Sequence, residues 1–332
     1  KLFHSVFGID YHIALAIGAV VILAYTFMGG FMAVCVTDFI QGSLMLVGLL
    51  AVPVLAYCFI GSGNLNAMLD ESQVIGGHQA YLSMTRNGES SYSFIEIFSQ
   101  LAWGLGYCGM PHILTRFMAV KNQKELKKSR VIAIIWVALS LFAAVAIGVL
   151  GRAYLYPVIL GTEGQASTES VFIEMITKIF TQDLRLPFIG GVFLCGILAA
   201  IMSTADSQLL VTASSVSKDI YKDILKPQVD EKTVLKVSRV TVIVVAVLAF
   251  AIAWNPNNSI MGLVSNAWAG LGSAFGPIVL MSLFWRRTNF AGAVAGIVSG
   301  GLTVIIWDYI PFINGQTLGT ATGLYSLATG FV

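Results

Sequence analysis

The most restrictive feature of this chain is a stretch without charge, because residues 240–285 contain no Asp, Glu, Lys or Arg. About a quarter of the residues in an average soluble domain are charged, so a soluble fold is a poor explanation for this stretch. A helix that crosses a bilayer needs about 20 apolar residues, which makes the stretch too long for one span. The motif WNPNN at 254–258 interrupts it, since proline and asparagine disfavour a continuing helix. The pattern predicts two consecutive transmembrane helices.

The composition extends this prediction to the whole chain. Of the 332 residues, 57% are hydrophobic and 11% are charged, and the mean hydropathy is +0.82. We therefore predict an all-α polytopic membrane protein that contacts the lipid bilayer. The net charge of +2 argues against a nucleic-acid partner. The four cysteines stand singly, without a CxxC pair, and we expect them to pack as small apolar residues.

Uncharged apolar stretches define the expected spans. We expect about eight complete spans and a partial ninth: 11–34, 39–61, 93–119, 131–157, 186–213, 234–254, 259–285, 289–310 and a last one that starts near 317. Two long loops, 62–92 and 158–185, have room for short surface helices, for example around 168–182.

Basic loops predict the orientation of these spans. The run KNQKELKKSR at 121–130 holds five basic residues, 218–239 is rich in lysine, and 286–287 are both arginine. The three loops fall on one side of the membrane, and lysine and arginine concentrate in cytoplasmic loops. We expect them to be cytoplasmic, with the loops 62–92 and 158–185 on the opposite face of the cell (plasma) membrane.

A polar stripe crosses the apolar segment LPFIGGVFLCGILAAIMSTADSQLLVTASS at 186–215. Ala200, Ser203, Thr204 and Ser207 are spaced i, i+3, i+4 and i+7, so they share one helix face. Polar groups at membrane depth are costly unless they face protein, water or an ion. Hydroxyl and carbonyl oxygens suit hard cations, although membrane serines and threonines also bond back to the i−4 carbonyl or join helices.

The segment FSQLAWGLGYCGMPHILTRFMAV at 98–120 predicts a discontinuous helix. Its middle contains three glycines and a proline, namely Gly104, Gly106, Gly109 and Pro111. Glycine weakens a helix and proline removes a backbone donor, so free backbone groups at such a break can meet a solute in mid-membrane. Trp103 and Tyr107 flank the break at i, i+4 and suit an aromatic wall. Asn266 and Trp268 on the span at 259–285 are assigned to helix packing in preference to a solute cavity.

Four motifs in order resemble the sodium:solute symporter family. They are TFMGGFMAVCVTDFIQ (26–41), WGLGYCGMPHILTRFMA (103–119), AAIMSTADSQLLVTASS (199–215) and SNAWAGLGSAFGP (265–277). The resemblance covers essentially the whole chain and implies a leucine-transporter-type inverted-repeat fold. It places 1–61 at the end of the first repeat, 93–285 in the second repeat and 289–332 in peripheral helices. Because the chain starts at a lysine and stops within an apolar run, we expect an internal fragment that lacks the N-terminal helices.

The resemblance also implies ion sites. Ala200 through its carbonyl, and Ser203 and Thr204 through their hydroxyls, match the family's sodium site. Asp38 matches an acid implicated in sodium coupling, and together with Ser203 and Ser207 it matches a second sodium site of some members. Asp206 stands where those members carry serine or another small residue. Its carboxylate could help to bind a cation at the second site or could face the cytoplasmic vestibule.

The implied activity is sodium-coupled symport of a small amino acid into the cell, with L-proline favoured. Trp103 and Tyr107 match aromatic positions of the family's proline site, and Pro111 follows the helix break. Sodium is the coupling ion, no cofactor is expected, and no obligatory protein partner is evident.

Three other functions remain open from the sequence. One is symport of another solute, such as pantothenate, a sugar or a sialic acid, with sodium or a proton as the coupling ion. Another is the transporter-like input domain of a signalling protein. The last is a membrane enzyme or a channel. No paired nucleophile and base, metal-ligand cluster or charged ring supports that last class, so we expect no enzyme.

Overall fold

The computed structural model describes residues 2–28, 31–61, 63–72, 74, 76–88, 90–158, 168–256, 259–313 and 315–332. Parts of the sequence predictions lie outside the described residues: 29–30 in the first family motif, 257–258 in WNPNN, and 159–167 together with four single positions in the two long loops.

The described chain is built mainly of helices. In chain order they are α1 (Leu2–Phe7), α2 (Tyr11–Met28), α3 (Phe31–Ile60), α4 (Leu65–Glu71), α5 (Gly77–Tyr81), α6 (Phe94–Leu101), α7 (Pro111–Met118), α8 (Gln123–Leu155), α9 (Val171–Thr177), α10 (Pro187–Ser214), α11 (Glu231–Ala253), α12 (Ile260–Phe284), α13 (Phe290–Tyr309), α14 (Leu318–Thr322) and α15 (Ser326–Phe331). Two antiparallel hairpins are also present, β1 (Arg86–Asn87) with β2 (Ser90–Ser91) and β3 (Pro311–Ile313) with β4 (Gln316–Thr317). The remaining described elements are the 3-10 helices Ala102–Gly109 and Thr168–Ser170 and the π-helical stretches Lys178–Asp183 and Ser215–Leu225.

The predicted fold class is confirmed. Among the described residues, six helical stretches are long and apolar enough to cross a membrane: Val34–Ile60, Gln123–Leu155, Pro187–Leu225, Glu231–Ala253, Ile260–Phe284 and Phe290–Tyr309. Each corresponds to one expected span. The span expected at 11–34 contains the shorter apolar helix α2, and the one expected at 93–119 is divided. Near 317, where a ninth span was expected to start, a hairpin is followed by two short helices.

Two elements differ from the expectation in extent or burial. Helix α8 begins eight residues before the expected span at 131, because the Asn122 side chain caps it by accepting the Glu125 N–H at 3.0 Å. The short helix expected around 168–182 is present as α9 and a following π-helical turn, Lys178–Asp183. It is not a surface helix, since Ile176 and Ile179 are fully buried. The apolar face of VFIEMITKIF makes burial favourable.

The chain divides into two compact units. The first unit comprises Lys1–Ser83 and Asn122–Pro256, and the second comprises Met84–Lys121 and Asn257–Val332. In the first unit, α3 and α10 pack in an antiparallel arrangement. Asp38 meets Ser207 near one end of their interface, and Gly48 approaches Phe193 towards the other. The buried core of this unit joins α3, α8, α9 and the π-helical turn, with Val52, Ala56, Ile147, Met175, Ile176 and Ile179 among its members.

The second unit is organised around α12. The 3-10 helix Ala102–Gly109, α13 and α15 all pack against this helix, and Ala269, Val304 and Leu327 form the buried centre. Several hydrogen bonds that involve side chains attach the C-terminal residues to the rest of this unit. Tyr325 N–H donates to Ser99 Oγ at 2.7 Å, Ser326 Oγ donates to Asp308 Oδ2 at 2.6 Å, and Trp307 Nε1 donates to the Leu324 carbonyl at 2.9 Å.

Candidate functional site

The α10 polar stripe, which consists of Ala200, Ser203, Thr204 and Ser207, lies in the first unit. The Ala200 carbonyl accepts hydrogen bonds from Ser203 Oγ at 3.0 Å and from Thr204 Oγ1 at 3.2 Å. Three oxygens therefore meet within one helical turn. A hydroxyl that donates its only hydrogen keeps its lone pairs, so both hydroxyls can still accept a cation. The same bonds also form in membrane helices that bind nothing, and sodium ligation here stays a prediction.

The stripe continues to an acid on the neighbouring helix. Ser207 is buried, and its Oγ lies 3.3 Å from Asp38 Oδ2 on α3 and 2.7 Å from the Ser203 carbonyl. The structure thus brings together Asp38, Ser203 and Ser207, which the family resemblance had grouped. This arrangement places a carboxylate oxygen beside the Ser207 side chain and near the Ser203 carbonyl, and oxygen ligands of this kind suit a hard cation.

Asp206 is fully buried, with 0% of its surface exposed. A side chain in a water-filled vestibule would be solvent-accessible, so this burial does not favour the interpretation that Asp206 faces a cytoplasmic vestibule. Its position next to Ser207 on α10 is consistent with the other interpretation, in which the carboxylate contributes to the second cation site. That role remains a prediction.

Gln41 was not identified from the sequence. It lies one turn after Asp38 on α3, and its Oε1 is buried without a hydrogen bond to any described residue. Buried amide oxygens normally have a partner, so this atom is a further oxygen donor close in sequence to Asp38. The spacing DFIQ, which puts the two side chains on one helix face at i, i+3, was the available signal.

The predicted helix break in the second unit is confirmed. Helix α6 ends at Leu101, a 3-10 helix runs over Ala102–Gly109, Met110 is extended, and α7 starts at Pro111. Proline suits the first position of a helix because its missing N–H would have no partner there. We call residues 94–118 the broken segment. The N–H groups of Ile113 and Leu114 both donate to the Met110 carbonyl, at 3.1 and 3.0 Å. Since proline has no N–H, the first turn of α7 offers fewer free N–H groups than the sequence prediction requires, namely that of His112.

Trp103 lies between two other aromatic rings. Its ring is stacked on Trp268 at a centroid distance of 5.7 Å and on Tyr325 at 5.8 Å, with interplanar angles of 13° and 12°. Trp268 Nε1 also donates to the Trp103 carbonyl at 2.9 Å. These contacts cover part of the Trp103 ring, so less of it is available to a solute. The assignment of Trp268 to helix packing agrees with these contacts, whereas Tyr325 was missed because no motif surrounds it.

Tyr107 is the accessible aromatic residue of the pair predicted from the sequence. Its ring meets Trp268 edge-on at 4.9 Å, yet 42% of the residue is exposed. Its hydroxyl forms no hydrogen bond to a described residue. Of the two aromatic residues predicted to contact the solute, Tyr107 is thus the one with an accessible ring and an accessible hydroxyl. Trp103 instead packs against Trp268 and Tyr325.

Two glycines allow the broken segment to approach α12. A Cβ atom on Gly106 would lie 2.0 Å from Trp268 Nε1, and one on Gly109 would lie 2.4 Å from the Leu271 carbonyl oxygen. Real Cβ atoms do not come so close to other atoms, so a side chain at either position would force the two elements apart. Gly106 and Gly109, which predicted the helix break, therefore also permit the close contact between the broken segment and α12.

Comparisons with known proteins find similar sequences along the whole chain. The model of the family described as sodium:solute symporter matches residues 1–300. A sodium/proline symporter of Staphylococcus aureus is 44% identical over 336 aligned positions, and one from strain JH9 is 43% identical. Each alignment covers 100% of this chain and 62% of the relative. The chain therefore spans 62% of the length of these curated relatives.

A solved structure is similar to the chain in fold. It is the substrate-bound outward-open state of a Na⁺-coupled sialic acid symporter with a novel Na⁺ site. The match has a TM-score of 0.70 and 19% identity, and covers 99% of this chain and 67% of that one. At this identity the likeness concerns the fold alone.

Proposed function

Because the chain belongs to the sodium:solute symporter family, we propose that it carries out sodium-coupled symport of a small amino acid, L-proline, into the cell. Members of this family are transporters and not enzymes, and the chain is a multi-pass membrane protein. The observation that carries the proposal is the 44% identity to a sodium/proline symporter along the entire chain. In this proposal the α10 polar stripe binds the sodium ion and the broken segment binds the solute.

Sodium binds at Ala200, Ser203 and Thr204 in this proposal. The carbonyl and the two hydroxyls are held within one helical turn by their own hydrogen bonds, so little side-chain entropy is lost when they take up an ion. A membrane helix tolerates such polar groups where an ion or protein faces them. Asp38, Asp206 and Ser207 form a second cation site or couple the first one to α3.

The solute binds at the break of the broken segment. Tyr107 supplies an exposed ring and hydroxyl, Trp103 supplies a further aromatic surface, and Pro111 starts the half-helix α7. A carboxylate is attracted to such a helix N-terminus. Sodium and solute then stabilise each other's binding, since any gain in solute affinity from sodium implies the same gain in sodium affinity from solute.

The assignment of repeats and sides is also part of the proposal. Residues 1–61 end the first repeat, 93–285 form the second, and 289–332 are peripheral. The basic stretches 121–130, 218–239 and 286–287 are cytoplasmic, and the membrane is the plasma membrane. With this orientation the membrane potential drives sodium inward, at about 2.3 kcal/mol per charge for each 100 mV.

Uptake into membrane vesicles tests the proposal. The intact protein is expected to accumulate radiolabelled L-proline when sodium is outside, and to lose this accumulation when choline replaces sodium at constant pH and voltage. Excess unlabelled pantothenate, glucose or sialic acid is expected to leave proline uptake unchanged. Strong inhibition by one of these solutes would instead assign the site to that solute, and uptake that follows pH but not sodium would assign a proton as the coupling ion.

A further inference from the structure

The first turns of α8 carry a dense cluster of positive charge. Lys124, Lys127, Lys128 and Arg130 are all exposed on this helix, and we call these four residues the α8 basic face. Glu125 is the one acid in 121–130, and it pairs only with Lys128 among the described residues, at 3.1 Å. The other three cations form no ion pair with a described residue, so most of the charge is uncompensated.

The length of α8 places this charge at the edge of the bilayer. The helix has 33 residues, which correspond to about 50 Å at 1.5 Å per residue, whereas the hydrocarbon core is about 30 Å thick. The helix therefore extends beyond the core. Charged side chains are excluded from hydrocarbon. The part of α8 that extends beyond the core is therefore its basic first turns, which lie in the headgroup layer.

The basic face continues directly into an exposed apolar strip. Lys124, Lys128, Ile135 and Phe142 follow one helix face at i, i+4, i+11 and i+18. Ile135 is 55% exposed and Phe142 is 74% exposed. A different face is packed, because Ala143, which follows Glu125 at i+18 and lies about 100° around the helix from Lys124, is only 1% exposed. An exposed apolar strip on a transmembrane helix contacts acyl chains, so the cations above it stand over the lipids that the strip contacts.

We propose that the α8 basic face binds the headgroups of anionic phospholipids in the leaflet that surrounds the start of α8. The proposed ligand is bilayer lipid, because the same face of α8 carries an apolar strip for the acyl chains and, next to it, cations at the depth of the lipid phosphates. Juxtamembrane lysines and arginines each contribute to attraction towards anionic lipid. The proposal depends on the chain being a membrane protein and is independent of the transported solute and ion.

The stretch 218–232 shows that a high lysine content alone does not produce such a face. It contains four lysines and four acids, and Lys222 pairs with Glu231 at 2.5 Å. Its net charge is zero. It therefore supplies a matched control in which the same number of positive charges is removed elsewhere in the chain.

The experiment is a titration of the detergent-purified intact protein with phosphatidylglycerol or phosphatidylcholine, with bound lipid counted by native mass spectrometry. Replacing all four residues of the α8 basic face by glutamine is expected to weaken phosphatidylglycerol binding by about one to two orders of magnitude. Replacing Lys218, Lys222, Lys226 and Lys232 by glutamine is expected to change it less than about threefold, and neither variant is expected to alter phosphatidylcholine binding.

Further arms separate lipid binding from loss of folding and from simple phosphate binding. The triple variant Lys124→Arg, Lys127→Arg, Lys128→Arg is expected to retain full phosphatidylglycerol affinity, since it keeps the positive charges. Added salt is expected to weaken wild-type binding more than that of the glutamine variant. Soluble glycerol phosphate at matched concentration is expected not to compete. Equal phosphatidylglycerol affinity in wild type and the folded glutamine variant, an equal loss in the control, or full competition by glycerol phosphate would each overturn the proposal.

Discussion

The α10 polar stripe and the broken segment are held in place by different kinds of contact. In the stripe, Ser203 and Thr204 bond to the Ala200 carbonyl of their own helix. In the broken segment, Trp103 is held by Trp268 and Tyr325, which lie far along the chain. One site is thus built by helix geometry and the other by packing between distant elements.

This difference predicts how each site responds to substitution. A continuous helix retains its backbone bonds when one hydroxyl is removed, so changes in the stripe should alter ion binding and leave the fold intact. A 3-10 helix has poorer hydrogen-bond geometry and rarely exceeds three or four residues, yet this one has eight. Changes in the broken segment should therefore affect folding as well as solute binding.

The largest expected effect comes from Gly109→Ala. The new methyl group would lie 2.4 Å from the Leu271 carbonyl oxygen, and because that atom belongs to the backbone of α12 it cannot turn aside. We expect a loss of about 1–3 kcal/mol of stability, measured as a lower thermal midpoint in detergent. Gly104→Ala is the control, because no atom lies within 4 Å of its added Cβ. Equal midpoints for the two variants would show that the packing is not tight.

The next largest effect is expected for ion binding at the stripe. Thr204→Ala and Ser203→Ala should each raise the sodium concentration for half-maximal proline uptake by about 10- to 100-fold, because a hydrogen-bonding group on an ion contributes about 1.5–3 kcal/mol. Thr212→Ala is the control on the same helix, since Thr212 makes a similar bond to the Gln208 carbonyl at 2.8 Å. A comparable shift in the control would contradict the assignment of the site.

A smaller effect is expected for the solute. Tyr107→Ala should raise the proline concentration for half-maximal uptake by about 2- to 10-fold, since an aromatic contact contributes about 0.5–1.5 kcal/mol, and should leave the sodium requirement unchanged. Tyr309→Ala removes a tyrosine that is 60% exposed in the same unit and should have no effect. If Tyr107→Ala changed the sodium requirement more than the proline requirement, the division of roles between the two sites would be wrong.

The smallest effect is expected from a local pair away from both sites. Asp70 accepts the His78 N–H at 2.8 Å, and this bond, together with the His78 side chain, holds the pKa of Asp70 below its ordinary value. The stabilisation is present above the unfolded-state pKa and disappears as the pH falls through the lower folded-state value. The thermal midpoints of wild type and Asp70→Asn should differ slightly near neutral pH and converge in acid. A difference between the two thermal midpoints that grows as the pH falls would contradict this expectation.

The same contrast between contacts within one helix and packing between distant elements separates what the sequence predicted from what it did not. The spacing of Ala200, Ser203 and Thr204 predicted a shared helix face, and the glycines before Pro111 predicted the break, since both are properties of short segments. The burial of Asp206 and the packing of Ile176 and Ile179 were not predicted. Each depends on which helix lies opposite, and a single segment does not contain that information.

What the sequence by itself determined is the six long apolar helices, the polar stripe and the interruption at Pro111, because hydrophobic period, charge and backbone chemistry act over a few turns. Only the tertiary structure decided that Asp38 meets Ser207, that Tyr325 stacks on Trp103, and that Tyr107 stays partly exposed. Those contacts join residues that are distant in the chain, and they depend on close packing between helices, which adjusts to the shapes of both partners.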